Sequence, residues 1–152
     1  MPGAVVTTTF ENYICDGRQI EGTRTNLAES TVDTLACSIQ LENGKVTWED
    51  GTVATRDAYW TITRVRSLQP INDLRIRTGY ASGVTAEGVA YTSTITKPIV
   101  WKRGCQPARR VMIPVEGTRV LESENHSYSI DYGDGSCDNI VHITKDGQTK
   151  DV

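Results

Sequence analysis

The stretch that decides the fold is Val89-Ala90-Tyr91-Thr92-Ser93-Thr94-Ile95-Thr96, in which larger side chains alternate with small or hydroxyl-bearing ones. The stretch Leu74-Arg75-Ile76-Arg77-Thr78-Gly79-Tyr80 has the same two-residue period. Successive side chains of a β-strand point to opposite faces of the sheet, so this period predicts strands with one buried face. Residues 46–49 and 128–132 alternate in the same way.

Dipeptides typical of tight hairpin turns recur between the alternating stretches: Asp16-Gly17, Asn43-Gly44, Asp50-Gly51, Asp134-Gly135 and Asp146-Gly147. Such turns need positive φ angles, which Asn, Asp and Gly tolerate. We therefore predict an all-β antiparallel meander that forms either a sandwich or a strongly curved, barrel-like sheet. The expected strands, about nine or ten, cover roughly residues 5–15, 18–26, 32–42, 45–49, 52–66, 73–81, 87–97, 111–122, 126–132 and 139–145.

One segment also fits a helix, because Val32, Leu35, Ala36 and Ile39 have helical spacing. The alternation of Cys37 with Ile39 and Leu41 fits a strand equally well. We favour the strand, because Asn43-Gly44 follows it as an expected hairpin turn.

Composition supports the β prediction and excludes several classes of protein. The 152 residues include 20 Thr, 14 Val and 12 Ile but only 6 Leu, and β-branched side chains suit a pleated sheet. This length predicts one domain over residues 1–152. No apolar run approaches the roughly 20 residues of a membrane-spanning helix. The net charge of -3 gives no global attraction to nucleic acid or to an anionic membrane.

The four cysteines, Cys15, Cys37, Cys105 and Cys137, show no spacing typical of a zinc site. An even number of widely spaced cysteines in a β-rich chain favours disulfides in an oxidising compartment, and free thiols are the alternative. We expect Cys105 to pair with Cys137, because each lies in a loop at the end of a strand. Cys15 and Cys37 form the second expected pair.

The acidic stretch near the C-terminus supplies oxygen ligands of the kind that calcium prefers, at Asp131, Asp134, Asp138 and Asn139. Their spacing does not match an EF-hand loop. Asp and Asn in a glycine-rich turn also bond to their own backbone, so we expect a structural turn and keep calcium as the alternative. No other cofactor is expected.

No catalytic motif is present, and the two histidines have no obvious partner, so we expect a protein that is not an enzyme. Trp48 and Trp60 are expected in the core, because the chain has a single Phe. Trp101 lies in a basic segment with Arg103, Arg109 and Arg110, and these four residues are the candidate contacts for a partner or ligand.

Several motifs resemble one family: Thr9-Phe10-Glu11-Asn12-Tyr13, Asp16-Gly17, Ile20-Glu21-Gly22-Thr23-Arg24-Thr25, Asp50-Gly51, Cys105, Glu116-Gly117 and Tyr132-Gly133-Asp134-Gly135-Ser136-Cys137-Asp138-Asn139. Together they resemble uncharacterised exported lipoproteins of the Bacteroidota, over nearly the whole chain. The resemblance implies that this chain is the C-terminal, β-rich part of a longer exported precursor. Cys105 and Cys137 fit the family pattern, and Cys15 and Cys37 depart from it. The family implies no catalytic residues.

These observations predict an exported, non-enzymatic β domain of the cell envelope with a binding or structural role, located in the periplasm, on the outer-membrane surface or outside the cell. Its partner would be a protein or a glycan, with no nucleic acid and no membrane-spanning segment. One alternative is a calcium-dependent carbohydrate-binding module that uses the 131–139 loop and a Trp. A further alternative is an envelope enzyme with dispersed carboxylates.

Overall fold

The computed structural model describes residues 2–106 and 110–152, and it confirms the all-β antiparallel meander. Within these residues ten strands follow one another, and the 3-10 turn Pro70–Asn72 precedes β5. The strands are β1 Val5–Cys15, β2 Arg18–Ala28, β3 Thr34–Thr47, β4 Val53–Val65, β5 Leu74–Val84, β6 Ala90–Lys102, β7 Glu116–Ser123, β8 His126–Asp134, β9 His142–Lys145 and β10 Gln148–Asp151.

The strands form one sheet in chain order, so that each strand pairs with its sequence neighbours. The sheet is open, with the long strand β1 at one edge and the short strand β10 at the other. The chain exposes 9903 Å² of surface, whereas a compact monomer of this mass would expose about 7,600 Å². A large part of both sheet faces is therefore available for contact with other molecules.

The expected hairpin turn at Asn43-Gly44 is wrong, because β3 runs through these residues. They form a bulge, with register shifts toward both β2 and β4. A Cβ atom on Gly22 of β2 would lie 2.8 Å from the Gly44 Cα atom, so a larger residue than glycine does not fit at position 22. The Asn43 N–H is satisfied by the Asp57 carboxylate at 2.7 Å. This bulge explains why a turn dipeptide lies within a continuous strand.

The short strand β10 was absent from the sequence prediction, because its four residues, Gln148-Thr149-Lys150-Asp151, lack an apolar alternation. The helical alternative at 32–39 is also wrong, since Thr34–Thr47 is a strand. Trp48 and Trp60 were expected in the core, and both are half-buried instead. Within the described ranges, no helix has the length and hydrophobicity needed to cross a membrane.

The pairing register defines two chemically different faces of the sheet. The arginine face carries the side chains of Arg56, Trp60, Arg64, Arg75, Arg77, Trp101 and Arg119, because the register aligns these positions with the same phase of the alternation. The threonine face carries Thr61, Thr63, Thr78 and Thr94 together with the contacting pair Tyr59 and Tyr80. The period of two in the sequence therefore separates two surfaces.

The buried side chains are few and small. Ile39, Ala58, Ala81 and Ile99 are buried on the strands, on the arginine face. A second cluster, made of Cys105, Val111 and Val115, lies in and next to the connection between β6 and β7. This connection is consequently held by its own small core at one end of the sheet.

Candidate functional site

Charge is segregated between the two faces of the sheet. Every strand arginine with a register partner lies on the arginine face: Arg18, Arg24, Arg56, Arg64, Arg75, Arg77 and Arg119. Within residues 2–106 and 110–152, every strand carboxylate that has a register partner lies on the threonine face: Glu21, Glu42, Asp57, Glu116, Glu122, Asp131, Asp134 and Asp151. The arginine face is therefore cationic although the whole chain is acidic.

In the part of the chain that the structure describes, the arginines of this face have no ion-pair partner. Of the ion pairs among the described residues, the single one that contains an arginine joins Arg103 to Asp73 at 3.6 Å. On the threonine face, by contrast, Glu21 pairs with Lys45 and Glu116 pairs with Lys97. An unneutralised cluster of like charges is repulsive, and a bound anion would relieve that repulsion.

A groove lies where β4, β5 and β6 meet at one end of the sheet. Arg64 and Arg75 are direct cross-strand partners, and Trp101 is the next partner in the same row. The groove has a volume of about 690 Å³, and Arg66, Arg103 and Asp73 also line it. Four arginines therefore face a single carboxylate in a depression of the size that holds small ligands.

The aromatic rings of the arginine face hold its guanidinium groups in place. The Arg75 guanidinium lies 5.1 Å from the centre of the Trp101 ring. Those of Arg77 and Arg56 lie 4.9 Å and 5.9 Å from the centre of the Trp60 ring. Such cation–π contacts position a cation without neutralising it. The guanidinium groups are therefore fixed and still available to an anion.

Arg77 and Arg119 are the most constrained cations of this face. The Nε atoms of both are buried and have no hydrogen-bond partner among the described residues. Burial, followed by repulsion from Arg119, Arg56 and Arg75, lowers the pKa of Arg77. Arginine nevertheless remains charged at neutral pH. These groups therefore keep a full positive charge in a partly desolvated setting, which favours an anionic partner.

The structure places the four candidate contact residues of the basic segment differently. Trp101 and Arg103 line the groove, as a binding role would require. Arg110 is exposed and has a positive φ of 55°, and it does not belong to the residues that line the groove. Arg109 lies outside the described residues. The sequence prediction missed Arg64, Arg75, Arg77 and Arg119, which the strand register brings onto one face.

The 131–139 stretch comprises the end of β8 and the segment that follows it, and it contains carboxylate–backbone hydrogen bonds of the kind that the sequence predicted. Asp131 accepts the Gly133 N–H at 2.8 Å, and Asp138 accepts the Ile140 N–H at 3.0 Å. Asp134 accepts both the N–H and the hydroxyl of Ser136, and these bonds lower the Asp134 pKa. Asn139 is exposed beyond β8. In residues 2–106 and 110–152 no group of three or more His, Cys, Asp or Glu side chains is arranged to hold a metal.

We expect Gly135→Val to lower the free energy of unfolding by about 1 to 3 kcal/mol, because Gly135 has a φ of +100° that a β-branched residue resists. Its new Cβ atom would also lie 2.7 Å from the Lys102 Nζ atom, which donates to the Gly135 carbonyl. Urea unfolding measures this loss. Asp138→Asn is the control and should change stability little, because the amide oxygen still accepts the Ile140 N–H.

His142 and Asp151 connect the last two strands, and this contact predicts a pH effect. The hydrogen bond to Asp151 and the charge of Asp151 raise the pKa of His142 above its ordinary value. A raised folded-state pKa stabilises the fold below about pH 6.5 and loses that contribution as the pH rises through the folded value. An NMR titration should show His142 losing its proton above pH 6.5 and reverting toward that value in Asp151→Asn.

Cys105 and Cys137 form a disulfide, with their Cα atoms 5.3 Å apart, which confirms the first expected pair. The bond joins the segment that follows β6 to the turn that follows β8. It therefore anchors the connection that begins beside Trp101 and Arg103, so it also supports one wall of the groove.

The second expected pair is wrong, because Cys15 and Cys37 are free. Cys15 pairs with Arg18 at one end of β2, whereas Cys37 pairs with Ala28 at its other end. Ten residues of strand span about 33 Å. A disulfide needs Cα atoms within about 7 Å, so the register prevents this bond.

Comparison of this chain with protein-family models, with curated proteins and with solved structures found no match. The fold and the site define the chain as an open antiparallel β-sheet with one cationic and one acidic face.

Proposed function

We propose that the chain is an exported, non-enzymatic β domain that binds an anionic ligand in the groove at Arg64, Arg75, Arg103 and Trp101. The observation that supports this proposal most strongly is the segregation of the strand arginines onto the face that forms the groove, away from the described strand carboxylates that have a register partner. A planar guanidinium presents two parallel N–H groups to a carboxylate, and the Trp101 ring holds the Arg75 guanidinium in position for such a contact.

The disulfide supports an exported location, because such bonds persist in oxidising compartments. A binding role rather than catalysis is supported by the lining of the groove, in which Asp73 is the one carboxylate among the described residues. Its ion pair with Arg103 leaves Arg64, Arg66 and Arg75 as the cations that face a ligand.

Calorimetric titration with trigalacturonate, a short carboxylated sugar, tests the proposal on the intact chain. We expect binding at low salt, with at least a tenfold loss of affinity in the double variant Arg64→Gln with Arg75→Gln and in Trp101→Ala. The matched control is Lys45→Gln with Lys97→Gln, which removes two positive charges from the threonine face and should bind as the parent does. Equal weakening in both double variants would refute a site in the groove.

A further inference from the structure

The cationic surface does not end at the groove. Arg75 and Arg77 are alternate residues of β5 and project from the same face. Arg77 and Arg56 both lie over the Trp60 ring, and Arg119 joins them around a small cleft. Along β4 the nine residues from Arg56 to Arg64 span about 27 Å. The arginine face therefore carries a continuous cationic track about as long as several sugar rings in a row.

This track is too long for one small anion. The cleft at Arg56, Arg77 and Arg119 holds about 10 Å³ of free space, which is the room of about one water molecule. A ligand there must therefore lie over the guanidinium groups and not sink between them. An extended chain with regularly placed negative charges satisfies several arginines at once, and each charge–charge contact adds to the affinity.

Resting on the proposed function, we propose that the ligand is an extended carboxylated polysaccharide that lies along the arginine face from the groove to Arg119. Arginine forks match carboxylates. The indole rings of Trp60 and Trp101 each have a guanidinium over them, which leaves less free ring surface for the stacked bases of a single-stranded nucleic acid. A second copy of this chain is an outcome of the test below: of the eight carboxylates named on its threonine face, Glu21 and Glu116 are already paired with lysines.

Calorimetric titration of the intact chain with galacturonate oligomers, from the monomer to the octamer, tests this inference. We expect the octamer to bind at least tenfold more tightly than the trimer. In the variant Arg56→Gln with Arg119→Gln the octamer should lose this gain, whereas the trimer should keep its parental affinity. Thermal melting establishes that the variant is folded. A second measurement needs no variant. The affinity of the parent chain should fall more steeply with salt concentration for the octamer than for the trimer.

The other outcomes separate the two proposals. Equal affinities for trimer and octamer would refute the track and leave the groove intact. No binding at any length would refute both. Tighter binding of a thymidine oligonucleotide with the same number of charges would overturn the polysaccharide in favour of a nucleic acid. Association of the chain with itself in light scattering, at the expense of octamer binding, would assign the face to a second copy.

Discussion

Replacing both Cys105 and Cys137 with alanine is expected to lower the free energy of unfolding by about 3 to 4 kcal/mol, because the disulfide closes a loop of about 30 residues. For a chain of this length that loss lowers the melting temperature by about 10 °C. The Cys105 side chain is 1% exposed, so the loss of its packing against Val111 and Val115 adds to the effect. Urea unfolding measures the free energy directly.

The matched control for the disulfide is Cys15→Ser, which alters an exposed free thiol and should leave stability within about 0.5 kcal/mol of the parent. The disulfide variant should also bind trigalacturonate less tightly, since Arg103 lies two residues from Cys105. Equal stabilities of the parent and the double alanine variant would contradict the structural role of this bond.

Gly79→Val is expected to cost more than about 3 kcal/mol of unfolding free energy. A Cβ atom at this position would lie 2.2 Å from the Tyr59 carbonyl oxygen and 2.5 Å from the Trp60 Cα atom. Both are backbone atoms of the neighbouring strand, so neither can rotate away. The φ angle of +133° adds conformational strain for any other residue.

The variant Gly88→Val separates the steric clash from the conformational strain. Gly88 has a φ of +81°, but a Cβ atom there would have no other atom within 4 Å. This variant should therefore lose only the conformational part, about 1 to 2 kcal/mol. Similar losses in both variants, measured by urea unfolding, would show that the close approach of β4 and β5 at Gly79 is not the dominant cost.

Much of the sheet could be predicted from the sequence, because a period of two and the Asp-Gly turns are local signals. Asp16-Gly17 and Asp146-Gly147 connect neighbouring strands, with positive φ at all four residues. Asn43-Gly44 could not be distinguished from these turns, since its bulge depends on Gly22 of the neighbouring strand.

The segments Ile20–Arg24 and Val115–Arg119 are similar in sequence. Both have a register shift beside a glycine, although β2 and β7 lie far apart in the strand order of the sheet.

The candidate site was predicted only in part, for a physical reason. Trp101 and Arg103 are neighbours of a basic segment in the sequence, so composition indicated them. Arg64, Arg75 and Arg119 come together through the register of four strands, and the bulges change the phase of the alternation between them. A short stretch of sequence does not show which residues of different strands will be paired. The expected bond between Cys15 and Cys37 was wrong for the same reason, because it rested on the even number of cysteines and not on their positions in the sheet.

The claim that the arginine face is the binding surface is tested most directly by NMR titration of the nitrogen-15-labelled chain with octagalacturonate. We expect shifts at the indole N–H groups of Trp101 and Trp60 and at the Nε–H groups of Arg75, Arg77 and Arg119. Backbone signals of Thr61 and Thr94 on the opposite face should move little. Shifts concentrated on the threonine face or in the 131–139 turns, with the indole and guanidinium signals unchanged, would contradict it.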